Sequence, residues 1–213
     1  MKYLESEFSL SGRRIIVTGA GGLLGRSFSK SLGKAGAELH LLDIDSNALA
    51  ELESSLSSEQ QAANYYDVDI TNSPQITSVI DAVAESGSIN GLINSAAIDP
   101  KFDLTAASAE RNPTAFSSYS LENWKQSLDV NLTGMFLTTQ AACKHVEQDA
   151  AQDCSIVNIA LTYGLTGPDQ RIYENQSEDR FYKPLDYSVT KAGVLGFTRA
   201  LAAFYRETGI RVN

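Results

Sequence analysis

Short apolar or β-branched runs alternate along this chain with longer stretches whose apolar residues recur at helical spacing. RRIIVTG reads as a strand, a helical pattern then runs to about Ala35, AELHLLD reads as a second strand, a helix begins near Ser46, and YYDVD reads as a third strand. This βαβαβ rhythm predicts a parallel sheet. It continues through a helix near Pro74 to Glu85, a strand at GLINSAA, helices over about Leu121 to Gln148 and a strand at SIVNIA. A long apolar helix over about Leu185 to Glu207 and the segment GIRVN complete the series. The expected architecture is α/β: a doubly wound parallel sheet with helices on both faces. Two connections, Ile98 to Ser120 and Leu165 to Leu185, exceed the usual short loop, and segments of that length in a compact domain are often functional. Each follows a predicted strand, which places it at the carboxyl edge where open α/β sheets bind ligands.

Composition narrows the picture without changing it. With 213 residues, 43% hydrophobic and 20% charged and no compositional break, the chain is expected to form a single domain over residues 1–213. A net charge of -9 argues against a nucleic-acid partner, because such a surface repels the phosphate backbone. No stretch approaches the roughly 20 apolar residues of a membrane span, and the N-terminus lacks the apolar core of a secretory signal. A cytoplasmic protein without membrane association is therefore expected. Cys143 and Cys154 fit no metal-ligand cluster and are expected as packed thiols, with no metal site.

Thr18-Gly-Ala-Gly-Gly-Leu-Leu-Gly25 falls where the first strand turns into a helix. Glycines there let the backbone approach a pyrophosphate held at the helix N-terminus, which makes this a Rossmann-type dinucleotide site. Asp43 ends the second strand, where a carboxylate accepts hydrogen bonds from an adenosine ribose diol and repels a 2′-phosphate. NAD is therefore expected over NADP. Asp45 is close enough to share the task, and the competing assignment for Asp43 is a helix cap. Tyr187 and Lys191, four residues apart in YSVTK, share one helix face. The lysine is expected to lower the phenol pKa from its reference of about 10, making Tyr187 a proton donor and acceptor.

From about Ser11 onward these motifs resemble the short-chain dehydrogenase/reductase family in its classical form. Gly19, Gly22 and Gly25 depart from the family's usual TGxxxGxG, whose middle glycine position is Leu23, and give GxxGxxG instead, the spacing of the sugar-nucleotide epimerase branch. The resemblance implies cofactor contacts from Thr18, Gly19, Gly22, Leu23, Leu24 and Gly25, from Asp69 and Ile70 in the DIT segment, and from Asn94 and Ala96 in NSAA. It implies three catalytic residues. Tyr187 would exchange a proton with the substrate oxygen, Lys191 would hold the nicotinamide ribose, and Asn131 in DVNLTG would position a proton path.

One position departs from that chemistry. In NIALTYG, Leu161 stands where the family usually places a serine that hydrogen-bonds the substrate oxygen, and losing such a donor costs about 10²–10³ in rate. On a regular strand Thr162 points to the opposite face, so that only a bend before Gly164 would re-aim it or Tyr163. The expected function is NAD(P)-dependent hydride transfer between nicotinamide and a secondary alcohol or carbonyl. Its alternatives are a catalytically impaired dinucleotide-binding protein and a sugar-nucleotide epimerase or dehydratase.

Thr162, Tyr163 and Arg171 are candidate substrate contacts, and Tyr173, Arg180 and Lys183 suit carboxylate, phosphate or sugar hydroxyls. The same loop and the DPKF segment at Asp99 to Phe102 are similar to bacterial enzymes of flagellin-glycan and nonulosonic-acid modification, which implies a polar sugar-type small molecule. Relative to the family the chain is expected to lack the last strand and lid. Apolar helices around Leu132 to Ala142 and Val194 to Ala203 imply a homodimer or homotetramer.

Overall fold

A computed structural model of the protein describes residues 8–59, 61–99, 114–149, 153–173 and 182–213. Its strands are β1 (Arg14–Thr18), β2 (Glu38–Asp43), β3 (Ala63–Asp67), β4 (Gly91–Asn94), β5 (Cys154–Asn158) and β6 (Ile210–Val212). All pair in parallel, in the order β3-β2-β1-β4-β5-β6. The order reverses direction between β1 and β4, and that switch point opens a crevice at the carboxyl edge.

Strand alternation explains why both faces are covered. Ile15 and Val17 of β1 and Leu39 and Leu41 of β2 face one core, together with Leu49, Leu52 and Leu56 of α2 (Ser46–Ser58). Ile16 and Leu42, one residue out of phase, face the other core with Leu92, Ile156 and the apolar side of α3 (Ser73–Glu85). A fully buried Leu or Ile contributes about 1.5–3 kcal/mol, so a one-residue slip in β1 would expose a whole row. The remaining helices are α1 (Leu23–Lys34), α4 (Leu121–Leu128), α5 (Met135–Val146) and α6 (Leu185–Phe204).

Local chemistry sets the element ends. Asp45 caps α2 by accepting from the Asn47 and Ala48 backbone N–H groups at 3.0 and 3.1 Å. The cap is therefore Asp45, which leaves Asp43 as the last residue of β2. Asn72 caps α3 with Pro74 in its first turn, and Ser120 caps α4. β3 lies two residues earlier than YYDVD suggests, because Val68 already leaves the ladder to donate to the Asp43 carbonyl at 2.9 Å.

The helical run over 121–148 is interrupted. Asp129–Gly134 forms a π-helical turn between α4 and α5, a local widening common at functional positions. Cys143 and Cys154 are buried free thiols, as expected; burial raises both, Cys154 to about 12. Among the described residues no helix is long and apolar enough to cross a membrane, and no group of three or more His, Cys, Asp or Glu could hold a metal.

Candidate active site

Register builds the floor of the crevice. Leu42 pairs with Thr18, Thr18 with Asn94, and Asn94 with Asn158, so four strands end at one level. The polar ends are stitched together below the opening. Asn94 Nδ2 donates to Thr139 Oγ1 at 2.9 Å and to Asn158 Oδ1 at 2.8 Å, and Asn158 Nδ2 donates to Thr198 Oγ1 at 2.9 Å. Thr18 Oγ1 accepts from the Ser95 and Ala96 N–H groups, each at 3.2 Å, holding the end of β1 against the segment after β4.

Above this floor the glycine turn leads into α1. Gly19 has φ +64, and a Cβ there would come within 2.6 Å of the Ala96 Cα. Gly25 is tighter still, since a Cβ would lie 2.0 Å from the Gly19 carbonyl oxygen. The helix begins at Gly22 without a side-chain cap. Its first N–H groups therefore lack a side-chain partner and offer an anion site. Leu23 is 90% exposed, so the family's middle glycine position points an apolar side chain outward without disturbing the turn.

A cleft of about 1090 Å³ runs from this turn along the sheet edge. Gly19, Gly22, Asp43, Asp69, Ile70 and Ala96 all line it. Asp43 Oδ2 accepts from the Gly21 N–H at 2.8 Å and Oδ1 from the Asp45 N–H at 3.0 Å, so the carboxylate braces the turn it faces. Asp69 is held by the Thr71 N–H and hydroxyl at 2.8 and 2.7 Å. The donors, the glycine cradle and the Asp43 carboxylate beside the turn fit a dinucleotide.

The proton-transfer candidates meet beside this cleft. Lys191 is buried and its Nζ donates to the Ile159 carbonyl at 2.7 Å, while lying 5.5 Å from the centroid of the Tyr187 ring. Asn131 sits in the π-helical turn and makes a two-way amide pairing with Ile98: its Oδ1 accepts from the backbone N–H at 2.7 Å and its Nδ2 donates to the carbonyl at 2.9 Å. The same Nδ2 reaches Thr190 Oγ1 on α6 at 3.1 Å. Asn131 and Lys191 border a small void that shares Ile70 and Ala96 with the cleft.

The electrostatics correct one expectation. The Tyr187 phenol is held above its ordinary value of 10.0, first by burial and then by the Asp99 carboxylate. Burial lowers Lys191, against the opposing pull of Asp99. Burial, seconded by the Asp99 carboxylate, therefore dominates the phenol.

The substrate-contact candidates separate. Leu161 is extended at φ -149 and 40% exposed, and Thr162–Gly164 forms a 3₁₀ turn immediately after it. Strand alternation therefore does not govern Thr162, because β5 ends at Asn158. The Tyr163 and Tyr173 hydroxyls are hydrogen-bonded at 3.0 Å. Arg171 is paired with Asp169 and its side chain is 84% exposed. Arg180 and residues 100–102 of the DPKF segment lie outside the described residues.

Sequence reasoning missed the contacts that join the two long connections. Lys183 Nζ donates to Asp99 Oδ2 and lies 4.7 Å from the Tyr187 ring centroid. Gln170 holds Lys183 by its backbone, accepting from its N–H at 2.8 Å and donating to its carbonyl at 3.1 Å. Lys183 and the DPKF segment were visible as polar features, but nothing in their spacing signals the pairing.

Residues 13–213 match the short chain dehydrogenase family, and the chain belongs to it. It is an oxidoreductase. A D-threitol dehydrogenase from Mycolicibacterium smegmatis is 28% identical, covering 99% of this chain and 71% of its own. A solved NAD⁺-bound xylitol dehydrogenase superposes with a TM-score of 0.79 at 25% identity, over 96% of this chain and 69% of that one. An actinorhodin polyketide ketoreductase with NADPH gives a TM-score of 0.77 at 27% identity, over 94% and 68%. The family's nicotinamide dinucleotide chemistry is thus common ground. None of these relatives supports the impaired or epimerase alternatives.

Proposed function

We propose that this protein is an NAD-dependent dehydrogenase that interconverts a secondary alcohol and a carbonyl on a small polyhydroxylated substrate. The observation that carries the reading is the convergence of Tyr187, buried Lys191 and Asn131 beside a glycine-lined cleft that ends at a carboxylate. The turn over Thr18–Gly25 would hold the pyrophosphate, with Leu24 at its helical end, and Asp43 would take the adenosine ribose. Asp69 and Ile70 flank the adenine side, and Asn94 and Ala96 support the centre.

When bound, the nicotinamide supplies or accepts the hydride. Tyr187 protonates the carbonyl oxygen in reduction and accepts the hydroxyl proton in oxidation. A phenol held above its ordinary value is well kept as an acid at neutral pH. Lys191 would hold the ribose, and Asn131 fixes the Ile98 segment beside the site. Asp43 favours NAD because a 2′-phosphate would meet its charge.

The polyhydroxylated substrate is supported by the relatives named for D-threitol and xylitol and by the hydrogen-bonding side chains around Tyr187. Fluorescence titration with NADH and NADPH tests the cofactor, with NADH expected to bind at least about tenfold more tightly, since 1.4 kcal/mol of charge discrimination is a factor of ten. Preference for NADPH would defeat the assignment to Asp43. Turnover of D-threitol or xylitol with NAD⁺, lost in Tyr187→Phe, tests the reaction. Exclusive turnover of apolar alcohols would refute the substrate class.

A further inference from the structure

The oxygen that gains negative character during carbonyl reduction is best served by two donors, because a single proton source leaves part of that charge unpaired. Leu161 has no donor to offer, whereas an ammonium lies beside the Tyr187 ring. Lys183 Nζ lies 4.7 Å from the Tyr187 ring centroid, closer than Lys191 at 5.5 Å. Its side chain is 13% exposed. Among the described residues its one hydrogen-bond acceptor is Asp99, so two of the three N–H groups of the ammonium have no side-chain or backbone acceptor there.

The placement of this ammonium is built rather than incidental. Gln170 pairs with both backbone groups of Lys183, and Asn131 pairs with both backbone groups of Ile98, the neighbour of Asp99. Two side-chain amides thus clamp the two segments from which the ion pair projects. A solvated lysine on a loop needs neither clamp.

We propose that Lys183, aimed by Asp99 and held by Gln170, is a catalytic residue that donates the second hydrogen bond to the reacting substrate oxygen. The inference rests on the dehydrogenase reading above. Lys183 keeps its proton throughout: in reduction the carbonyl carbon gains the hydride, the oxygen takes its proton from Tyr187, and the ammonium contributes a charge-assisted hydrogen bond. Asp99 and Gln170 are positioning residues. The arrangement also explains how a leucine is tolerated at 161.

The test compares native protein, Lys183→Met, Lys183→Arg, Leu161→Ser and the Lys183→Met/Leu161→Ser pair, using D-threitol with NAD⁺ and D-erythrulose with NADH. Lys183→Met is expected to lower kcat/KM by about 10²-fold, while NADH affinity by fluorescence stays unchanged. Lys183→Arg, which keeps a charged donor, should retain more activity than Lys183→Met. Leu161→Ser should restore at least about tenfold in the Lys183→Met background yet change the native protein by less than about threefold, the non-additivity of two groups serving one oxygen. Calorimetry provides a readout apart from turnover: D-threitol should bind the NADH-loaded Lys183→Met protein at least about threefold more weakly, as for a lost hydrogen bond.

Native kcat/KM in Lys183→Met, or equal effects of Leu161→Ser in both backgrounds, would overturn the inference alone. Loss of NADH binding in Lys183→Met would also overturn it, by showing a structural role. A native protein that binds NADH but turns over neither probe would defeat the dehydrogenase reading for this substrate class, and this inference with it.

Discussion

Replacing Gly25 by alanine adds one carbon at the point where the turn and α1 cross most closely. That carbon would stand 2.0 Å from the Gly19 carbonyl oxygen and 2.8 Å from both the Ala20 Cα and the Gly19 carbonyl carbon. All three neighbours are backbone, so no rotamer change relieves the clash. Overpacking of this kind costs about 1–3 kcal/mol, and alanine's better helix propensity returns up to about 1 kcal/mol. Because the turn itself must open, the upper end of that cost applies and a net loss near 2 kcal/mol is expected; with about 2–4 °C per kcal/mol at this chain length the Tm should fall by roughly 4–8 °C. The same movement displaces the Gly19–Gly22 hydrogen bond of 3.1 Å that shapes the anion site, so NADH affinity should fall by more than tenfold. Gly196→Ala is the control, since that glycine lies inside α6 with nothing within 4 Å of an added Cβ; it should raise the Tm by about 2–4 °C, from a propensity gain near 1 kcal/mol. Thermal unfolding and NADH fluorescence titration read both effects. A Gly25→Ala protein with native Tm and native NADH affinity would refute the close-packed turn.

Tyr187→Phe is expected to lower turnover by about 10²–10⁴-fold with little change in NADH binding, checked by steady-state rates beside a fluorescence titration. Asp99 raises Tyr187, so Asp99→Asn should lower the phenol pKa and, because Tyr187 acts as the base in alcohol oxidation, move the rising limb of that pH profile toward lower pH, with Lys183 and Lys191 the cations near the ring; a rising limb that stays in place or moves upward would contradict the assignment. His40 is held below 6.5 chiefly by burial in the sheet, against the opposing effect of Glu38. Its neutral form therefore contributes stability that is complete above 6.5 and is lost as pH falls below that value, where the unfolded chain binds the proton first. Urea midpoints measured at about pH 7 and about pH 5 should differ less in His40→Gln than in the native protein.

The sheet was legible because its strands obey a short-range rule. Alternation in β1 and β2 sends Ile16 and Leu42 to one core and Val17 and Leu41 to the other, which a window of a few residues reveals. The glycine turn was legible for a similar reason, since the φ of +64 at Gly19 and the approach of Gly25 to the Gly19 carbonyl are constraints within one turn, although the contact of Gly19 with Ala96 is not. Asn131 was found as a motif member, but its π-helical setting was not. Within that turn Asn131 pairs with Ile98, 33 residues earlier in the chain, and local propensity contains no trace of such a contact. The phenol's electrostatics were misjudged because helical spacing places Lys191 near Tyr187 without revealing the burial of the ring or the Asp99 carboxylate brought near it from far along the chain.

The two halves of the site are built differently, and this has a chemical consequence. The cofactor half rests on strand ends aligned by register, with Thr18 and Asn94 tied directly into neighbouring backbone and side chains. Substitutions there disturb several strands at once. The proposed substrate half hangs on two long connections whose described ends are tied by side chains: Asn131 to Ile98, Gln170 to Lys183, and Thr114, which accepts from the Tyr182 N–H at 2.9 Å. Exchange of Lys183 would alter what lies beside Tyr187 while the strand-end contacts of Thr18 and Asn94 keep their shape. In the reading proposed above, such a fold holds hydride chemistry constant and lets the partner of the substrate oxygen change, and the Lys183 ammonium beside Tyr187 is one such partner.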